Sequence, residues 1–201
     1  MQPHMKCGTL LLVIAGIFGA SLPGAAASQP ETPSLTVCVS GDISDYNLVV
    51  AGPAAIFRRI GIRTKWRGLN GCPADAIRVR VLKTGPANLP ARVLGCAHPL
   101  DGRDAEVYLD RVNAAAGAAG DQRTALLGYV IAHEIVHLLE GGETQHAGEG
   151  VMRARWSSSD VEKMLWRLDL TDDDIELIRR GLRERQAQRA GAPAAATAAL
   201  Q

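Results

Sequence analysis

The sequence predicts an α+β domain in which helices gather against one face of a sheet. Three observations predict it. Short stretches of apolar–polar alternation occupy the first half, helical periodicity fills the second, and capping residues and paired glycines mark the element ends. "LTVCVS" (35–40) alternates as a strand. "YNLVVAGPAAIFRRIG" places Leu48, Ile56 and Ile60 at helical spacing, so a helix begins at Pro53 or is kinked there, and ends at Gly61. "IRTKWRG" sets Ile62, Thr64 and Trp66 against Arg63, Lys65 and Arg67, and "AIRVRVLK" sets Ile77, Val79 and Val81 against basic residues. Each such strand has one dry face and one wet face. "AEVYLDRV" (105–112) reads as a fourth strand, and "NAAAGAAGD" as a flexible connector. The helix "DQRTALLGYVIAHEIVHLL" has Asp121 as its N-cap, turns Leu126, Leu127, Val130 and Ile131 inward, and stops at Gly141 and Gly142. Two helices follow, "SSSDVEKMLWRL" behind a serine cap and "TDDDIELIRRGLRERQ" behind Thr171, with acids early and arginines late as the macrodipole favours. The small-residue tail, 189–201, reads as disordered.

Ahead of these elements, Lys6, the apolar run "CGTLLLVIAGIFGA" and the small residues Ala25 and Ala27 have the order of a secretory signal peptide over 1–27. The run is short for a membrane span and is interrupted by Gly16, Gly19 and Pro23, so a secreted or periplasmic chain with no membrane attachment after cleavage is expected. Loss of Lys6 leaves 21 basic residues (22 − 1) against 21 acidic ones. That balance gives a nucleic-acid or acidic-lipid partner no electrostatic support. A monomer is expected. Of the cysteines left, Cys38 sits mid-strand as a small hydrophobe does, so the expected disulfide joins Cys72 to Cys96.

The chemistry is concentrated in "GYVIAHEIVHLLEGGETQHAGEGVM" (128–152), which holds three of the chain's five histidines. At about 100° per residue, His133 and His137 lie one turn apart on the same helix face, where two imidazoles converge on one ion. Glu134 falls beside that face, placed to hold a water rather than the metal. Catalytic zinc takes three protein ligands and a water, so a third ligand must follow the glycine turn. Glu143, His146 and Glu149 are the candidates; His146 is preferred because a neutral imidazole suits borderline-soft zinc, with Glu143 its main rival. The chemistry this set suits is water attack on an amide, with Glu134 taking the proton and passing it to the leaving amine. Ligating histidines are neutral, so occupancy and activity are expected to fall below pH ~6.

Through "AHEIVHLLEGGETQHAGEGVMRARW" the sequence resembles the metzincins, zinc metalloproteases with the motif H-E-x-x-H-x-x-G-x-x-H and a methionine turn beneath the metal. More narrowly, "HEIVHLL", "GVMRARW" and "LDRV" resemble a group of small exported bacterial metzincin-like proteins. The resemblance implies a catalytic domain over 34–188 with a twisted, mostly parallel sheet, helices on one face and an active-site helix. It implies Zn2+ held by His133, His137 and His146, Glu134 as general base, and Met152 as the turn methionine. "EVYLDRV" would be the edge strand beside which a peptide substrate lies. The common spacing puts the third histidine at position 143, here Glu143; His146 comes three residues later, and Glu140 stands where glycine is usual. Arg153 after the methionine means that the turn supplies no tyrosine for an oxyanion.

The function expected is that of an exported zinc metalloendopeptidase acting on a peptide or protein. Its rival is a metal-stabilised, non-catalytic peptide-binding module; a structural zinc protein would add Glu143 or Glu149 as a fourth ligand. His98 reads as a loop histidine, Tyr108 and Tyr129 as packing residues, and Trp156 and Trp166 as core cover behind the metal. Arg153 and Arg155 read equally as a solvated face or as braces for the turn.

Overall fold

In a computed structural model, which describes residues 32–41, 43–98, 102–117, 119–141 and 146–191, the first alternating stretch forms strand β1 (Ser34–Gly41). The signal segment 1–27, Gly142, Glu143 and residues 192–201 lie outside the described residues. Leu35, Val37 and Val39 of β1 are buried in the core. Helix α1 (Tyr46–Arg59) is capped by Asp45, whose Oδ1 accepts the Leu48 N–H at 3.1 Å. The helix runs through Pro53 and buries Val49, Val50, Pro53, Ile56 and Phe57. Leu48, expected on that stripe, is exposed instead, because the inward face lies one residue further round.

Strands β2 (Arg63–Arg67) and β3 (Ile77–Leu82) both run parallel to β1, one on each side. Cys38 stands opposite Arg67 of β2 and Arg78 of β3, so the connector between those strands crosses β1 sideways with no length to climb back. It therefore needs no crossover helix. Cys72 lies in this connector and is bonded to Cys38, with Cα atoms 6.0 Å apart. The expected Cys72–Cys96 pair is thus corrected: Cys38 is the strand residue the connector passes over, whereas Cys96 is a free thiol two strands beyond β3.

Strands β4 (Gly95–His98) and β5 (Asp104–Tyr108) complete the order β2-β1-β3-β5-β4, in which only β4 runs antiparallel to its neighbour. The strand expected over 105–112 ends at Tyr108, and "LDRV" opens helix α2 (Leu109–Ala116). The buried positions switch there from alternation to the helical spacing of Tyr108, Val112 and Ala116. β5 is paired on both sides, so the edge strand beside the helices is β4, not "EVYLDRV". Much of "NAAAGAAGD" is likewise helical, leaving a short link that starts at Gly117 (φ 68°).

Helix α3 (Gly120–Glu140) follows. Asp121 lies in its first turn rather than at the N-cap, where Ala119 makes no side-chain bond; the acid favours the macrodipole instead. Every residue from Leu126 to Val136 is buried. α3 touches α1, α2, β3, β4 and β5, and also the two helices that follow it. It ends at Gly141, in the left-handed region (φ 73°, ψ 70°), with the Gly141 N–H on His137 O. α4 (Ser158–Met164) opens with a capping box between Ser157 and Asp160. α5 (Asp172–Gly191) opens with the same reciprocal bonds between Thr171 and Asp174, and it carries 189–191, expected in the tail, as helix. At Gly181 the α5 backbone meets α3 so closely that a Cβ would stand 1.7 Å from Leu139 O. No helix of the described residues is long and apolar enough to cross a membrane.

The disulfide closes 34 residues of chain, so Cys72→Ser should cost about 3–4 kcal/mol of unfolding free energy. Urea denaturation of the oxidised protein checks this, with Cys96→Ser expected to shift the midpoint far less.

Candidate metal centre

The site is built from one helix and the loop that returns beneath it. His133, His137 and His146 present ring nitrogens that all lie within 4.8 Å of one another. The Nε2 atoms of His133 and His137 are 3.0 Å apart. Two nitrogens on one tetrahedral zinc stand about 3.3 Å apart, since each bond is about 2.0–2.1 Å, so the donor set fits that ion. His146 completes the set from the far side of the turn, its ring 5.3 Å from that of His133 and 5.0 Å from that of His137 between centroids.

The loop fixes the ring of His133 as well. Val151 O lies 2.8 Å from His133 Nδ1; a carbonyl only accepts, so Nδ1 carries the hydrogen and Nε2 of the neutral ring is a bare lone pair. A bond of this kind is what orients an imidazole that is to ligate a metal. Trp156 packs edge-on against the same ring at 5.4 Å, and its Nε1 donates to Gly150 O. The Ala147 N–H bonds Met152 O at 2.9 Å, which closes the loop immediately after His146. Met152 itself is fully buried. One folded-back segment therefore sets both His133 and His146.

Burial dominates the electrostatics. Desolvation holds His133 down at about 4, against a raising contribution from Val151 O and a lowering one from His146. His137 is lowered to about 3 by desolvation and by the neighbouring charges of His133 and His146. These two rings therefore stay neutral well below the expected limit near pH 6. His137 Nδ1 is buried and meets no hydrogen-bond partner among the described residues. Glu134, 6% exposed, is raised to about 8 by desolvation, partly offset by the Ala97 N–H that it accepts.

That bond joins the helix to the edge strand β4. Beside it, Gly95 has no side chain for a reason: a Cβ there would lie 2.7 Å from Glu134 Oε1 and 2.8 Å from Glu106 O. Sequence reasoning missed Gly95, Ala97 and Val151 as site residues. Two of them act through the backbone, and Gly95 lies in "RVLGCAH", which shows no apolar–polar alternation to mark a strand.

Glu149 is exposed and outside the histidine cluster. His98 ends β4 rather than sitting in a loop, and is outside the cluster too. Tyr129 is buried and its hydroxyl accepts the Leu168 N–H, while Tyr108 donates to Glu106 at 3.5 Å; both pack as expected. Trp156 sits against the site, but Trp166 is 88% exposed and covers nothing. Arg153 braces the turn through Asp160 at 2.8 Å, and Arg155 is exposed.

No protein-family model matches this sequence, and no curated protein does. Among solved structures the chain is similar to the archaemetzincin from Methanopyrus kandleri, with a TM-score of 0.54 at 15% identity over 77% of this chain and 98% of that one. At that identity the likeness speaks for the fold, and the fold it supports is the metzincin type to which the histidine motif points.

Proposed function

We propose that this chain is an exported zinc-dependent metallopeptidase in which His133, His137 and His146 hold the ion and Glu134 is the general base. The observation that carries the reading is the convergence of three imidazole nitrogens beside a buried carboxyl, next to a strand edge that pairs with no other strand among the described residues. When bound, zinc supplies a Lewis acid for the scissile carbonyl and lowers the pKa of a coordinated water toward ~7. The chain's own groups do the rest. Glu134 would ionise once the three histidines hold a dication, and its carboxylate would accept the proton of the attacking water and return it to the leaving amine. The Ala97 N–H bears on the same carboxyl and favours its ionised form. A peptide lying along β4 pairs with its free backbone groups, a mode that fixes the scissile bond without reading side chains. The low proton affinities of His133 and His137 keep both as ligands in mildly acidic surroundings, as an exported enzyme requires.

The test is bound zinc and hydrolysis of a mixed peptide library by the native chain, Glu134→Gln and His146→Ala. Glu134→Gln should retain zinc and lose cleavage by about 10²-fold or more, whereas His146→Ala should lose zinc. Cleavage that is equal in native and Glu134→Gln protein removes Glu134 from the mechanism. A native chain that holds zinc and cleaves nothing leaves a peptide-binding module.

Gly95→Ala should push Glu134 aside and cut kcat by about tenfold or more with zinc content unchanged, as activity and metal analysis on one sample will show.

The metal-free protein should be most stable on a plateau between pH 4.5 and 6.5. Glu134 and Glu140, raised by desolvation to about 8 and about 7 from an ordinary 4.5, lose stabilising protons as pH rises, so stability falls on the alkaline side. The unfolded histidines take up protons below 6.5 that the folded His133 and His137 refuse until about 4 and about 3, so stability falls as pH drops. Between 4.5 and 6.5 the two opposed pairs cancel. Urea midpoints across pH in the presence of a chelator measure this; a single maximum near pH 8 would contradict it.

A further inference from the structure

The connector from β3 to β4 contains a repeat that alternation and helical periodicity both pass over, "PANLPARV" (86–93). Each half is a turn: Leu89 N–H bonds Pro86 O at 3.2 Å, and Val93 N–H bonds Pro90 O at 3.0 Å. The first and last carbonyls of both turns point at one guanidinium. Arg111 Nη2 donates to Pro86 O (2.6 Å) and Leu89 O (3.2 Å), and Nη1 donates to Pro90 O (3.0 Å) and Val93 O (2.9 Å). Arg111 is only 9% exposed, and it lies over the Tyr108 ring at 4.9 Å. Its neighbour Asp110 accepts the Gly85 N–H at 3.0 Å, and the Tyr108 N–H bonds Leu94 O at 2.8 Å, so both ends of the connector are anchored at the junction of β5 and α2.

Four carbonyl oxygens gathered at one point repel one another, and each loses solvation unless it is bonded. A planar, always charged fork with five donors meets that demand, and a lysine ammonium with three does not. The chain leaves the second turn at Val93 and enters β4 two residues later, at Gly95, which lies against Glu134. We propose that Arg111 is a positioning residue: by gathering the two turns of the connector into one rigid body, it sets the edge strand β4 against the helix that carries Glu134. Its consequence for catalysis rests on the peptidase reading. Its consequence for β4 does not.

Amide hydrogen exchange on the full chain tests the proposal, with Arg111→Lys and Gly85→Ala as variants. The second keeps the arginine but displaces it, since a Cβ at Gly85 would stand 2.5 Å from Arg111 Nε and 2.7 Å from Cζ. Both should speed exchange over residues 86–97 by about tenfold or more, the loss of one charge-assisted hydrogen bond, with α1 and α3 unchanged and zinc content intact. In peptide cleavage the loss should fall on both KM and kcat, because the displaced strand holds substrate and also lies against Glu134. Exchange that is unchanged over 86–97, or faster equally throughout the domain, overturns the proposal. If the native chain cleaves no peptide, the peptidase reading fails, and the exchange pattern still decides the role of Arg111.

Discussion

The bond from His133 to Val151 O is the interaction on which the arrangement of the site depends. It ties the helix that carries the histidine motif to the segment that follows the glycine turn, and it does so at one of the three clustered imidazoles. A buried carbonyl needs a donor, and a buried imidazole with one hydrogen has only one way to supply it. Satisfying both fixes the ring's tautomer and leaves Nε2 facing the other histidines. The same segment then closes through Ala147 and Met152, and Trp156 seals the ring from the side. Backbone pairing that completes the loop and orientation that prepares the ligands are therefore the same set of bonds.

Burial is what makes these groups useful. A helix packed on nearly every side keeps His133 and His137 neutral and raises Glu134, so removing water shifts three neighbouring side chains in the directions that the proposed ligation and base catalysis call for. The opposing demand falls on the fold, because each shift is stabilisation forgone in some range of pH. The Cys38–Cys72 bond and the capping boxes of α4 and α5 use none of the three histidines. They supply stability from groups that do not have to be reactive.

Legibility in the sequence followed how local each signal was. His133, Glu134 and His137 were readable because helix geometry alone brings them together, and His146 because a third donor had to follow the turn. Ser157, Thr171 and Gly141 were readable as caps for the same reason. Strand order was not. Nothing within "EVYLDRV" says that a later-numbered strand slips between β3 and β4, and the switch of period at Tyr108 hides in a run that suits either structure. The cysteine pairing failed likewise, since it depends on which strand the β2–β3 connector crosses. Backbone partners such as Ala97 N–H and Val151 O leave no trace in side-chain pattern.

The longer spacing between His137 and His146 becomes intelligible from its two ends. On one side the helix stops at Gly141, whose N–H returns to His137 O, so the departure point is set by the cap. On the other, Ala147 is pinned to Met152, and Val151 to His133, so the arrival point is set by the folded-back segment. Neither anchor involves the residues between. A ligand placed by its downstream neighbours tolerates a change in the length of chain that leads to it, because adding a few residues to a loop raises its closure entropy only slowly. The three residues by which this chain exceeds the common metzincin spacing thus leave His146 within reach of the other two imidazoles.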